Sequence, residues 1–361
     1  MEKRDKLKKK ILFFIGTRPE LIKLYPLIYL FKKEKKLFET KVCFTNQHKE
    51  LISSSLNIFK LKPDFQLNIM KQSQSIEYVT ENLLNKIKKL YKKKYLPNLV
   101  FVQGDTNTAF GASLVSFYNK IKVAHIEAGL RTFRKYEPFP EETFRSMISK
   151  LADYHFTPTS YSKRNLIKEG INKNIYVVGN TVIDALKFCK KKKFKLKKKF
   201  ALITIHRREH LNDKIKNIIE EINKITNANE NIDFIWPIHP NPKIKKILNK
   251  YKNKKIIIRK HMDYNEFVNM LNKCEFVCSD SGGIQEECAY LGKKIFILRN
   301  FTERPEVLKN NGELIKLGKI SLSNRVNYFL RKGIKVNRNF VFGNGHASKK
   351  IMKIVKANKF F

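Results

Sequence analysis

Short apolar runs recur along the chain, separated by stretches in which apolar residues fall three and four apart. The runs occupy 11–15, 42–44, 99–102 and 123–126 in the first half, then 201–205, 234–236, 256–258, 276–278 and 295–298. They are rich in Val, Ile and Phe and lack period-2 alternation, which suits strands buried on both faces of a parallel sheet. Between them, 76–90 and 214–225 carry the spacing of amphipathic helices. Strand alternating with helix predicts two doubly wound α/β domains. The charged stretch 187–199 reads as the seam between them. Ala347–Ala357, after the turn Gly343-Asn344-Gly345, reads as a terminal amphipathic helix.

A length of 361 residues and a hydrophobic share of 42% fill two cores of ordinary size. No window approaches the ~18 uninterrupted apolar residues of a membrane span, and the run at 11–15 is too short for a signal core, so a cytoplasmic protein without membrane insertion is expected. The five cysteines (Cys43, Cys189, Cys274, Cys278 and Cys288) are scattered and read as buried free thiols. The net charge of +43 would attract phosphate polymers. It is spread as lysine runs over the whole chain, and no zinc finger, aromatic RNA-binding strand or basic zipper accompanies it, so no specific nucleic acid is expected.

Ligands of open α/β sheets bind beyond the carboxyl ends of the strands. The exits of the first half hold Gly16-Thr17-Arg18-Pro19-Glu20 with Lys23, then Gly104-Asp105-Thr106, then Glu127, and later Glu141-Glu142 with Arg145. In the second half they hold His206-Arg207-Arg208-Glu209, His239-Pro240 and Ser279-Asp280-Ser281-Gly282-Gly283. The last is a strand, a small-residue turn and a helix start, where backbone N–H groups and the helix dipole can face a phosphate. Glu287, about a turn further on, is placed to accept from ribose hydroxyls. Asp105 could instead cap a helix and Glu141 could occupy a first helical turn. Three carboxylates set among Arg18, Lys23, Arg145, His206 and His239 suit general acid-base chemistry on a diphosphate-bearing substrate. No His-x-x-x-His or DxDxD cluster points to a metal, and neither metal nor cofactor is expected.

Together these blocks resemble the non-hydrolysing UDP-N-acetylglucosamine 2-epimerases. The matching set also includes Gln47-His48, His125 to Thr132, Gly179-Asn180-Thr181, Thr302-Glu303-Arg304-Pro305-Glu306 and Gly343-Asn344-Gly345, in the family's order over roughly residues 11–350. The resemblance implies the glycosyltransferase-B fold: two Rossmann-like domains with a cleft between them, here 1–178 with 346–361 and 179–345. It implies conversion of UDP-GlcNAc to UDP-ManNAc by anti elimination of UDP and re-addition, supplying cell-surface polysaccharide. Asp105, Glu127, Glu141 and His206 resemble the catalytic residues. Arg18, Lys23, Arg145, His239 and Arg304 resemble substrate or phosphate contacts. Ser281, Gly282, Gly283 and Glu287 resemble the UDP cradle, with Phe267 on uracil and Met262 beside it. The expected partners are a UDP-sugar and a second copy of the chain. Thr143 and Phe144 depart from the pattern beside the sugar pocket, and Glu50 departs where substrate-regulated members carry glutamine. Enzymes acting on UDP-diacetamido-uronic acids, or glycosyltransferases of the same fold, share part of the set.

Overall fold

The computed structural model describes residues 8–46, 59–70, 75–191, 198–205, 214–238, 247, 249–251, 253–259 and 262–357. The chain divides into two compact units, Met1–Phe188 with Gly343–Phe361, and Cys189–Phe342.

The first unit is built on a parallel sheet of β1 (Lys9–Ile15), β2 (Phe38–Phe44), β3 (Phe65–Gln66), β4 (Leu99–Gln103), β5 (Lys122–Ile126), β6 (Tyr154–Thr157) and β7 (Ile175–Val177). Its helices are α1 (Arg18–Lys33), α2 (Ile76–Lys93), α3 (Asn107–Tyr118), α4 (Glu141–Leu151), α5 (Ser160–Lys168) and the short α6 (Thr181–Ala185). The strand order is β3-β2-β1-β4-β5-β6-β7. Central β1 and β4 bury all of 11–15 and 99–102, as unbroken apolar runs covered on both faces must. The order reverses between β1 and β4, which makes their carboxyl ends the topological switch point.

The second unit repeats the plan with β8 (Lys199–Thr204), β9 (Ile232–Pro237), β10 (Ile256–Arg259), β11 (Phe276–Ser279), β12 (Lys294–Ile297) and β13 (Gly312–Leu314). Their order, β10-β9-β8-β11-β12-β13, places a second switch point between β8 and β11. Helices α7 (Lys214–Ala228), α8 (Tyr264–Lys273) and α9 (Gly282–Leu291) lie between successive strands, and α10 (Leu322–Lys332) follows β13. Trp236, Phe234, Phe276 and Phe296 anchor the core against isoleucines of α7. Four of the five cysteines are buried and Cys189 is half-buried.

The first unit runs to Phe188 and takes back Gly343, so the ten residues after 178 and the turn at 343–345 lie outside the unit expected to hold them. Side chains of α6 and of the turn that follows it explain the difference. Asp184, buried in α6, accepts from the amides of Ala347 (3.1 Å) and Ser348 (2.8 Å), the first residues of α11 (Ala347–Ala357). Lys187 donates to the carbonyl of Gly345. Phe188 stands edge-on to Tyr25 of α1, with ring centroids 5.0 Å apart. Within the stretch read as a solvated seam, then, Lys187 is a tie inside the first unit.

Candidate functional site

At the first switch point the turn out of β1 is closed by a capping box. Thr17 is the N-cap of α1 and accepts from the Glu20 amide, while Glu20 reaches back to the Thr17 amide. Glu20 is 1% exposed and takes four donors. Its Oε2 accepts from the amides of Gly16 (2.9 Å) and Thr17 (2.6 Å) and from the Thr17 hydroxyl (2.8 Å). Its Oε1 accepts from the Thr106 hydroxyl (2.6 Å) at the exit of β4. Burial drives this carboxyl up from 4.5 to about 7 against the pull of those donors.

β4 and β5 end in register, Gln103 beside Ile126, and the Gly104 amide bonds to the Ile126 carbonyl at 3.0 Å. Asp105 and Glu127 therefore leave neighbouring strand ends. Thr106, and not Asp105, caps α3. Asp105 is paired with Arg145 of α4, and its side chain keeps 26% exposure. Arg145 also meets Glu142 at 3.2 Å. Glu127 is buried and in the left-handed region, at φ 66°. It accepts from Lys23 of α1 at 2.5 Å and from the Asn180 amide group at 2.7 Å. Beneath both acids, a ring nitrogen of His125 lies 2.7 Å from the Gly104 carbonyl, and burial holds this imidazole down at about 3. Glu141 is the first residue of α4, one turn before Arg145, a position the helix dipole also favours. Arg18 is half-buried at the start of α1. Phe144 belongs to the core, stacked on Phe110 at 5.0 Å, while Thr143 donates to the Lys135 carbonyl.

At the second switch point Thr204 donates to the Ser279 hydroxyl (2.6 Å), joining the exits of β8 and β11, and Ser279 Oγ accepts from the Ser281 amide at 3.0 Å. Ser281 is the N-cap of α9 without a side-chain cap bond. A Cβ on Gly282 would lie 2.6 Å from Arg304 Nη1, whereas one on Gly283 would meet nothing within 4 Å. Arg304 is buried and donates to Glu286 (2.8 Å) and Glu303 (2.6 Å), so its guanidinium braces the turn from within. Glu287 is buried and accepts from the Tyr264 hydroxyl at 2.6 Å. Met262 is buried just before α8, and Phe267 is half-buried on it.

His206 and His239, like Gln47, His48, Glu50 and Arg207 to Glu209, lie outside the described residues. Sequence reasoning missed Glu20, Asn180 and Tyr264 as parts of the site. The first two stand in motifs already singled out, so a count of donors and acceptors across those motifs was the available signal; Tyr264 had none. Among the described residues no three His, Cys, Asp or Glu side chains converge as a metal set would. No helix among them is long and apolar enough to cross a membrane.

Two parallel sheets, each reversing strand order above a polar exit, define a two-unit α/β protein of the glycosyltransferase-B kind. The family model for UDP-N-acetylglucosamine 2-epimerase matches residues 32–356. The chain is 39% identical over 370 residues to the UDP-N-acetylglucosamine 2-epimerase of Salmonella borreze, covering 95% of this chain and 97% of that one. It is 42% identical over 325 residues to the Campylobacter jejuni enzyme of the same name, covering 83% and 84%. The structure of the Neisseria meningitidis UDP-GlcNAc 2-epimerase bound to UDP-GlcNAc superposes with a TM-score of 0.91 at 36% identity, covering 97% of this chain and all of that one. The chain belongs to the UDP-N-acetylglucosamine 2-epimerase family, a family of isomerases.

Proposed function

We propose that the protein interconverts UDP-GlcNAc and UDP-ManNAc by anti elimination of UDP to a 2-acetamidoglucal and re-addition on the other face. The observation behind this reading is the pair of carboxylates at adjacent strand ends, Glu127 gripped by Lys23 and Asn180 and Asp105 gripped by Arg145. The hydrogen on carbon 2 is not acidic, so its loss must accompany departure of UDP from carbon 1. Carboxylates whose charge is balanced by fixed cations can take up and return that proton without large reorganisation. In this reading Asp105, Glu127 and Glu141 serve the proton transfers. Arg18, His206 and the Ser281-Gly282-Gly283 turn steady the leaving diphosphate, with His239, Lys23 and Arg145 as further contacts. Glu287 receives the ribose, and Phe267 and Met262 the base. Arg304 supports the turn from inside. The enzyme would act as a cytoplasmic homodimer supplying activated amino sugar for surface polysaccharide.

A proton NMR time course with UDP-GlcNAc in deuterated water tests the proposal. UDP-ManNAc should accumulate with solvent deuterium at carbon 2 and without any added acceptor. Product that keeps its carbon-2 proton would sink the elimination route, and turnover that needs an acceptor would point to a glycosyltransferase.

A further inference from the structure

Glu20 does more than close its own helix. An N3 glutamate in a capping box ordinarily satisfies the N-cap amide. This one uses Oε2 for three donors of its own turn and sends Oε1 across the switch point to Thr106. Thr106 is itself the N-cap of α3: its hydroxyl accepts from the Ala109 amide at 3.0 Å while donating to Glu20. One enclosed carboxyl therefore fastens two helix starts, on α1 and α3, and the ends of two strands, β1 and β4. The residue after Thr17 is Arg18, and the residue before Thr106 is Asp105.

We infer that Glu20 is a positioning residue for the epimerase reaction proposed above, setting Asp105 through Thr106 and Arg18 through Thr17. Taking a carboxyl out of water is costly, and helix capping alone does not call for it, since exposed N3 glutamates cap well. Four donors arriving on one buried group also fix its geometry from four sides, so a small displacement of either strand end breaks a bond that water cannot replace. This is the support that a catalytic group needs from residues around it.

The test pairs Glu20→Gln with Thr106→Val, singly and together, and reads two quantities. The first is amide hydrogen exchange over 106–112, which needs no turnover. Glu20→Gln puts an NH2 among donors, and it should speed exchange at Ala109 and Phe110 at least about threefold although the change lies in another helix. In the Thr106→Val background it should add nothing further there. The second is kcat on UDP-GlcNAc, where each single variant should lose about tenfold and the double variant much less than the product of the two losses. Thr106→Ser, which keeps the hydroxyl, should stay within about twofold of the parent, and this comparison carries the test if Glu20→Gln does not fold. Unchanged exchange at 106–112 in Glu20→Gln, or losses in kcat that simply multiply, would overturn the inference. A parent protein that does not epimerise UDP-GlcNAc would remove the functional reading, while the exchange result would still decide whether Glu20 holds Thr106.

Discussion

Glu127 sits in a backbone region that glutamate seldom adopts, at φ 66°, and its carboxylate is enclosed with an ammonium. Strain of that kind persists only where the surroundings over-determine the residue, here through Lys23 and Asn180. Asp105 differs: it is paired yet partly exposed, so it can meet a substrate without first breaking into the interior. Glu127→Gln should lose at least ~10²-fold in turnover, the usual scale for a group that moves a proton. It should also cost roughly 2 kcal/mol of stability, because Lys23 is left buried beside a neutral partner. Adding Lys23→Met should recover part of the melting temperature and none of the turnover; near-normal turnover in folded Glu127→Gln would remove it from the catalytic set. Acid sensitivity has a separate origin. His125 and His155 are held neutral by burial, at about 3 and about 4. Their contribution is complete above the ~6.5 of an unfolded histidine and fades as pH falls toward those values, because the unfolded chain takes up protons the fold refuses. Glu20 runs the other way: raised from 4.5 to about 7, it favours the fold increasingly as pH falls between those values. With two groups against one, these residues should withdraw on the order of 1–2 kcal/mol between pH 6.5 and 5. Thermal melts across that range should show the fall, and His155→Gln should make it shallower; a melting temperature that rises toward pH 5 would contradict this balance.

The two glycines at the start of α9 look alike in sequence and are opposite in space. Gly282 has a buried guanidinium where a Cβ would go, and that guanidinium is already fixed by Glu286 and Glu303. Gly283 faces open space. Gly283→Ala should therefore stabilise the second unit by up to about 1 kcal/mol, as alanine does in a helix, yet weaken UDP binding if the diphosphate approaches this backbone. Gly282→Ala should lower both stability and binding. Melting curves with and without UDP separate the two, and equal behaviour of the variants would contradict the assignment. The turn itself was legible in the sequence because small residues between a strand and a helix have few other uses. So were the nine short apolar runs, each of which lies within one residue of an observed strand. Four strands were not. β3, β7 and β13 are short pieces at sheet edges, where one flank needs no partner and little apolar pattern is required. β6 is internal but reads Tyr-His-Phe-Thr, and its His155 is buried where an apolar residue would have signalled a strand. The acids at the exits were legible by residue type and place. Their partners were harder to see, since Lys23–Glu127 spans 104 positions and no local pattern encodes it.

For the whole molecule, the charge of +43 has to be reconciled with cations that sit at defined places. Lys23, Arg145 and Arg304 are buried and matched by carboxylates, and Lys187 is tied to the Gly345 carbonyl in the turn that brings α11 back to the first unit. Lys190 and Lys191 differ from these: both are exposed, and the Lys190 backbone carbonyl accepts from Asn269 at 2.7 Å. If the excess is a solvated surface, Lys190, Lys191, Lys192, Lys193 and Lys195 can become Gln or Ser together, at constant length, with little effect. Steady-state kinetics on UDP-GlcNAc should stay within about twofold, only ~0.4 kcal/mol in the barrier. Adsorption to DNA should weaken and lose part of its salt dependence, because fewer counterions are released. Lys187→Gln is the informative contrast. It removes one charge where the other variant removes five, so a purely electrostatic surface predicts the smaller effect. The tie to Gly345 predicts the larger one: about 1 kcal/mol for a charged donor lost to a backbone carbonyl, or roughly 2–4 °C in the melting temperature of the first unit. Should the five-lysine variant stay folded and lose tenfold or more in kcat/KM, with the loss growing as salt is lowered, those lysines guide the anionic substrate and the surface is functional. Should Lys187→Gln melt with the parent, the junction of α6 and α11 does not depend on the Lys187 tie, and Asp184 is its polar anchor.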